Sequence, residues 1–176
     1  LLGHPFNPPH LLPLVEIVGG NLTAPQILKQ ASEFYKQLGK NPIILNKEVK
    51  GHVANRLQAA LWREAFSLVE QGVCSAEDVD VAITSGPGLR WALFGPYINM
   101  QLANQKGFKE AIHHLGPPMT EWWNDMHAFQ HSDEITELLE AQTNQLLTQY
   151  KDIDLYETRD KGLVDILKLR QQLKLD

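Results

Sequence analysis

Apolar and polar positions divide the chain into a short mixed part and a long helical part. Leu14 to Val18 reads Leu-Val-Glu-Ile-Val, apolar but for one carboxylate, and predicts a short buried strand. Gly19-Gly20-Asn21 supplies a turn after it, and Thr23 with Pro25 close behind marks a helix start. Ile27, Leu28, Ala31, Phe34, Tyr35 and Leu38 then recur at helical spacing, and Gly39 ends the run. Pro42 to Leu45 predicts a second strand. Strand, helix and strand within residues 1–46 form the pattern of a βαβ unit in a parallel sheet. Two strands are too few for a stable sheet, so the pattern implies partners upstream or from another copy.

Composition changes at Lys47 to Gly51, and from His52 onward no strand pattern appears. A long helix is expected from His52 to Glu70, with Val53, Leu57, Ala60, Leu61, Leu68 and Val69 on one face. Ser75 opens a short helix, with Asp78 placed as in a capping box, before Ser85-Gly86-Pro87-Gly88 breaks it. The next apolar stretch is interrupted at Gly95-Pro96, which predicts a kink or two short helices. A helix from Gly107 to Leu115 is expected to stop at Gly116-Pro117-Pro118, and Trp122 and Trp123 read as packing residues. Two amphipathic helices, Asp133 to Tyr150 and Thr158 to Leu173, complete the chain. The expected class is mainly α, with residues 1–49 as a residual βαβ piece and residues 50–176 as a helical domain.

At 176 residues the chain is long enough for one core, or for one domain and part of another. Its net charge of −5 and lack of any large basic cluster argue against nucleic acid. No apolar run approaches the roughly 20 residues that cross a bilayer, and no signal-peptide pattern opens the chain, so no membrane association and a cytoplasmic location are expected. Cys74 is the single cysteine, which excludes an internal disulfide and a cysteine-based metal cluster. The start at Leu1, within an element and without an initiator methionine, leads us to expect a fragment lacking its N-terminal part.

Candidate chemistry concentrates near the start, in Gly3 to Glu16, GHPFNPPHLLPLVE. Pro5, Pro8 and Pro9 stiffen this stretch and predict an extended loop that restricts where His4 and Asn7 point. A carboxylate inside an apolar strand costs several kcal/mol to bury without a hydrogen-bond partner, roughly 2 or more. A nearby imidazole is the natural partner. If Glu16 accepts from one ring nitrogen of His4, it sets the tautomer and leaves the other nitrogen free to move a proton. The alternative is a Glu16 at a strand end in water and an ordinary loop histidine. Asn55 and Arg56, in the first turn of the His52 helix, are suited to a substrate carbonyl or carboxylate, or form a solvated cap. His127 and His131 have the i, i+4 spacing of metal ligands but no HExxH motif and no third ligand, so they read as a surface pair. His113 and His114 diverge on a helix. Gly86-Pro87-Gly88 is no dinucleotide fingerprint, and no phosphate-binding P-loop appears. Arg90 and Trp91 form an anion-and-stacking patch or close a helix–helix contact.

Three stretches taken together resemble the 3-hydroxyacyl-CoA dehydrogenase family: GHPFNPPHLLPLVE, then KEVKGHVANRLQ from Lys47 to Gln58, then GPGLRWALFGP from Gly86 to Pro96. The likeness extends to about Pro118. It implies an NAD-dependent oxidoreductase with an N-terminal Rossmann domain and a C-terminal helical domain that dimerises and helps bind substrate. Residues 1–49 would then be the end of the Rossmann domain. By the same resemblance His4 is the general base, Glu16 orients it, and Asn55 is the catalytic asparagine. The substrate the resemblance implies is an L-3-hydroxyacyl-CoA or a free L-3-hydroxy acid, oxidised at C3. Acyl-CoA members commonly carry a lysine-containing stretch before the strand glutamate, whereas this chain has Leu12-Pro13-Leu14. The chain is in this respect similar to the branch of gulonate and carnitine dehydrogenases and lambda-crystallins, for which Arg90 or Arg56 is a candidate carboxylate partner.

The glycine-rich loop and the ribose-binding acid of such an enzyme are expected before Leu1. The chain alone is accordingly expected neither to bind NAD nor to turn over. A structural or interaction module of the same fold, as in the crystallins, is the alternative to an enzyme. Retention of His4, Glu16 and Asn55 together favours the enzyme.

Overall fold

The computed structural model describes residues 1–175, which divide into two compact units. The first comprises residues 1–61 with residues 156–174, and the second residues 62–155 with Leu175. These units group the chain by contact, so the final helix joins the first unit despite its distance in sequence.

In the first unit, β1 (Leu2–Pro5), β2 (Leu14–Val18) and β3 (Asn41–Leu45) form a sheet in the order β1-β2-β3. β1 runs antiparallel to β2 with His4 directly opposite Glu16, and β2 pairs parallel to β3. The opening stretch is therefore not all loop, as its prolines suggest. Pro5 closes β1, and the irregular backbone begins only at Phe6. β2 is the middle strand, and Val15, Glu16, Ile17 and Val18 are all buried. Strands covered on both faces read as continuous apolar runs, which is why Leu14 to Val18 lacks alternation.

Helix α1 (Pro25–Gln37) makes the crossover from β2 to β3. Ala24 holds its cap position without a side-chain bond, and Thr23 instead accepts from the Gly20 N–H at 3.1 Å, tightening the turn. Only part of the expected apolar stripe is covered: Leu28, Ala31 and Tyr35 are half-buried, while Phe34 and Leu38 are 56% and 59% exposed, and the buried residue of the helix is Ser32, outside the stripe. Helix α2 (Ala54–Glu70) starts in the first unit and ends in the second. It begins two residues later than periodicity suggests, because Gly51 and His52 both take positive φ, 77° and 51°.

The second unit continues with α3 (Ala76–Thr84), α4 (Pro87–Trp91), α5 (Pro96–Leu102), α6 (Phe108–Asp125) and α7 (Asp133–Leu147), the last extended by a 3₁₀ turn at Thr148–Tyr150. Ser75 and Asp78 form the expected capping box, and the Ala76 N–H donates to Gln142 Oε1 at 2.9 Å, tying α3 to α7. Helix α6 passes through Pro117 and Pro118 instead of stopping before them. Two prolines delete the N–H groups that would bond the His113 and His114 carbonyls. Proline φ is nevertheless helical, and Ala111, Leu115, Pro118 and Met119 keep one covered face across the interruption. Trp122 and Trp123, read as packing residues, are each 58% exposed on this helix. Helix α8 (Leu155–Gln172) closes the chain, and the two late helices fall within a few residues of their expected bounds.

Gly107 precedes α6 at φ 95°, and the Gln101 side chain takes the role of an N-cap by accepting from the Phe108 N–H at 2.8 Å. Gly39 after α1 has φ 73° with open space around it. Gly39→Ala is expected to cost only left-handed backbone strain, about 1–2 kcal/mol. Gly107→Ala is expected to cost more, because a Cβ there falls 2.9 Å from the Gln101 amide nitrogen and displaces the cap. Urea unfolding of the two variants side by side measures the difference, and equal losses would contradict it.

Candidate active site

The buried carboxylate of β2 organises the candidate site, all of it within the first unit. Glu16 is 0% exposed, and its two oxygens divide their partners. Oε1 accepts from the Val53 and Ala54 N–H groups at 2.8 and 3.0 Å, at the start of α2. Oε2 lies 3.1 Å from His4 Nδ1. The free amides at a helix start favour an anion, so they supply the partners that an apolar strand cannot. Positive φ at Gly51 and His52 turns the chain so that those amides meet the carboxylate.

Burial by itself pushes the Glu16 carboxyl up, but the Ala54 and Val53 amides and the His4 ring together hold it below its ordinary 4.5. An ionised carboxylate only accepts hydrogen bonds, so the proton in the shared bond sits on His4 Nδ1. His4 Nε2 is left as a lone-pair acceptor. With 33% of its side chain exposed, His4 is open where Glu16 is sealed. The arrangement suits proton transfer to and from a hydroxyl.

Neighbouring residues hold the His4 strand. The Phe6 N–H donates to the Leu14 carbonyl at 3.3 Å, and Lys40 Nζ donates to the Pro9 carbonyl and, at 3.2 Å, to that of Leu12. The Tyr35 ring lies against Gly3, where any Cβ would collide with its hydroxyl.

Of the sequence candidates, His4 and Glu16 are brought together, and the Glu16 seen at the strand centre is not a solvated strand end. Asn55 is the second residue of α2, directly after the Ala54 amide that binds Glu16, and is exposed. Arg56 reaches the Lys50 carbonyl at 3.4 Å. Arg90 belongs to the second unit, where it lines a cavity of about 250 Å³ with Leu93, Phe94, Asn99, Leu102 and Ala103. His127 and His131 fall in the connection between α6 and α7, not on a helix, and His131 Nε2 is 3.0 Å from Thr136 Oγ1. Periodicity alone reads His52 as an ordinary first helical residue. Its ring instead stacks on His4, with centroids 5.0 Å apart and planes inclined by 28°. The one signal in the sequence was a histidine after glycine at a helix start.

Residues 1–49 match the family model described as 3-hydroxyacyl-CoA dehydrogenase, NAD binding domain, and residues 51–145 match its C-terminal domain. A 3-hydroxyacyl-CoA dehydrogenase of Gibberella moniliformis is 44% identical over 178 residues, covering 98% of this chain and 55% of that protein. The L-carnitine dehydrogenase of Streptomyces coelicolor is 41% identical, again over 98% of this chain and 55% of the relative. The chain thus spans about half the length of the curated relatives it matches. Among solved structures, 5-formyl-3-hydroxy-2-methylpyridine 4-carboxylic acid 5-dehydrogenase, an NAD⁺-dependent dismutase, gives a TM-score of 0.71 at 27% identity, over 96% of this chain and 55% of that one. The 3-hydroxyacyl-CoA dehydrogenase of Archaeoglobus fulgidus gives 0.55 at 26% identity, over 83% and 57%.

Two substitutions separate the structural from the chemical role of Glu16. Glu16→Ala leaves the Val53 and Ala54 amides without their acceptor and is expected to destabilise the first unit by about 1–3 kcal/mol. Glu16→Gln keeps an oxygen for those amides and is expected to cost less. Because folding lowers this carboxyl's pKa, the stability it contributes is present above the unfolded value. That stability is lost as pH falls below about 4.5 toward the lower folded value. Urea unfolding between pH 3 and 7 should therefore show an acid-side decline that is shallower in Glu16→Gln.

Proposed function

The chain belongs to the 3-hydroxyacyl-CoA dehydrogenase family, and from that premise we propose that His4 and Glu16 form the acid–base centre of an NAD-dependent dehydrogenase. The observation that carries the reading is the sealed Glu16 carboxylate bonded to Nδ1 of a partly exposed His4. His4 Nε2 takes the proton from the C3 hydroxyl of an L-3-hydroxyacyl-CoA or a free L-3-hydroxy acid. Glu16 stabilises the imidazolium that results. Held ionised by two amides, Glu16 does not compete for the proton itself. The Asn55 side chain donates to the carbonyl end of the substrate from the first turn of α2.

Residues 1–49 fit the cofactor in part. The β2-α1-β3 crossover is the unit from which a dinucleotide-binding sheet is built, whereas the glycine-rich turn for the pyrophosphate has no counterpart in the sequence. NAD, when bound, accepts the C3 hydride. The reading therefore concerns a polypeptide in which a complete cofactor domain precedes these residues, and the chain alone is expected to be inactive.

For the substrate, we favour a free hydroxy acid over a thioester. The relatives named L-carnitine dehydrogenase and the Leu12-Pro13-Leu14 stretch support this. Its candidate carboxylate partner is Arg90, beside its cavity, or Arg56, at the α2 start. The reading includes a cytoplasmic homodimer. Exposed Leu89, Tyr97, Ile98 and Leu102 on α4 and α5 support the dimer, and no helix among the described residues is long and apolar enough to cross a membrane.

The test is a substrate screen with NAD on the complete protein, following reduced-cofactor absorbance. It compares L-3-hydroxybutyryl-CoA with free L-3-hydroxy acids, gulonate and carnitine. Turnover of a free acid is expected. His4→Ala should lower kcat by about 10²- to 10⁴-fold with the circular dichroism spectrum unchanged. An unchanged kcat would overturn the base assignment, and turnover of the thioester alone would overturn the choice of substrate. Arg90→Met is expected to raise KM for a free acid.

A further inference from the structure

A histidine that carries a Cβ at φ 51°, directly after a glycine at φ 77°, is an uncommon way to start a helix. The left-handed conformation strains a residue other than glycine. The turn at Gly51 and His52 does two things at once. It aims the Val53 and Ala54 amides at Glu16, and it brings the His52 ring over the ring of His4 at 5.0 Å. Glycine at residue 52 would serve the first purpose with less strain. The second needs a ring.

His52 Nε2 is buried and meets no hydrogen-bond partner among the described residues. Nε2 thus makes no polar contact there, and the face of the ring is what meets His4. Glu16 holds His4 through a single bond at Nδ1. One hydrogen bond sets the tautomer, but the ring can still tilt about that contact. A second ring inclined by 28° against its face limits the tilt.

We propose that His52 is a positioning residue, whose stacked ring sets the plane of His4 and so the direction of its Nε2 lone pair. The inference rests on the reading of His4 as the proton acceptor. Proton transfer is directional, so loss of the stack slows turnover without weakening substrate binding in proportion.

The test uses the complete protein and two variants. His52→Asn keeps a residue tolerated in the left-handed region but removes the ring, while His52→Phe keeps the ring face and removes the nitrogens. His52→Asn is expected to lower kcat by about 10- to 100-fold with KM within about twofold, and His52→Phe to restore it to near the parent value. Histidine-selective NMR supplies a readout independent of turnover: the His4 ring protons should move in His52→Asn, where the ring current is gone, and keep a stacked shift in His52→Phe. Equal loss of kcat in both variants would overturn the proposal by assigning the role to a nitrogen. Full activity in His52→Asn would overturn it as well. If His4→Ala keeps its turnover, the base assignment is what fails; if His4→Ala is inactive while His52→Asn is not slowed, the positioning role alone fails.

Discussion

A carboxylate in the middle strand of a small sheet is tolerable only if every lone pair it turns inward finds a donor. Glu16 meets this condition with three partners from two separate segments: the amides of Val53 and Ala54, and the ring of His4. The remainder of the first unit follows from that requirement. β1 must pair beside β2 in the register that sets His4 opposite Glu16, and α2 must begin where its first free amides reach the same side chain. The interaction joins strand, strand and helix through one group. Net hydrogen-bond energies are modest, but leaving such donors or a buried charge unpaired is expensive, so the arrangement is held as a whole.

The same arrangement is suited to chemistry because the stabilising and reactive atoms are different. The helix amides keep the Glu16 charge in place, and that charge fixes the Nδ1 proton of His4. His4 itself is partly exposed, and its second ring nitrogen is not the one that Glu16 engages. A carboxylate in water would make a weaker and less directional partner for the imidazole. The strained turn at Gly51 and His52 belongs to this logic too, since relaxing it would move the helix start that Glu16 depends on.

The second unit carries a different burden. Its short helices α4 and α5 are each opened by a proline, and the Gln101 side chain caps α6 where Gly107 has none to offer. These devices let a sequence broken by Gly and Pro remain helical, and they carry Arg90 and its cavity on α4 and the segment after it.

Local pattern alone determined much of the architecture. The strand at Leu14 to Val18, the crossover helix, the capping box at Ser75 and Asp78, and the two late helices lie near their expected positions, because spacing and caps act over a few residues. The pairing of His4 with Glu16 was one of two readings the residues allowed, favoured by the family resemblance, and the structure shows the contact. Three features were decided only by tertiary structure. Leu2 to Pro5 became a strand because β2 offered it a free edge, against the local sense of Pro5 and the prolines that follow. Helix α6 ran through Pro117 and Pro118 because a continuous covered face outweighed two missing hydrogen bonds. The His52 ring reached His4, 48 residues away in sequence, because a left-handed backbone turned it there. Periodicity records which side chains share a face. It carries no information about the backbone sign at a single residue or about contacts between distant segments, and those are what bring the candidate site together.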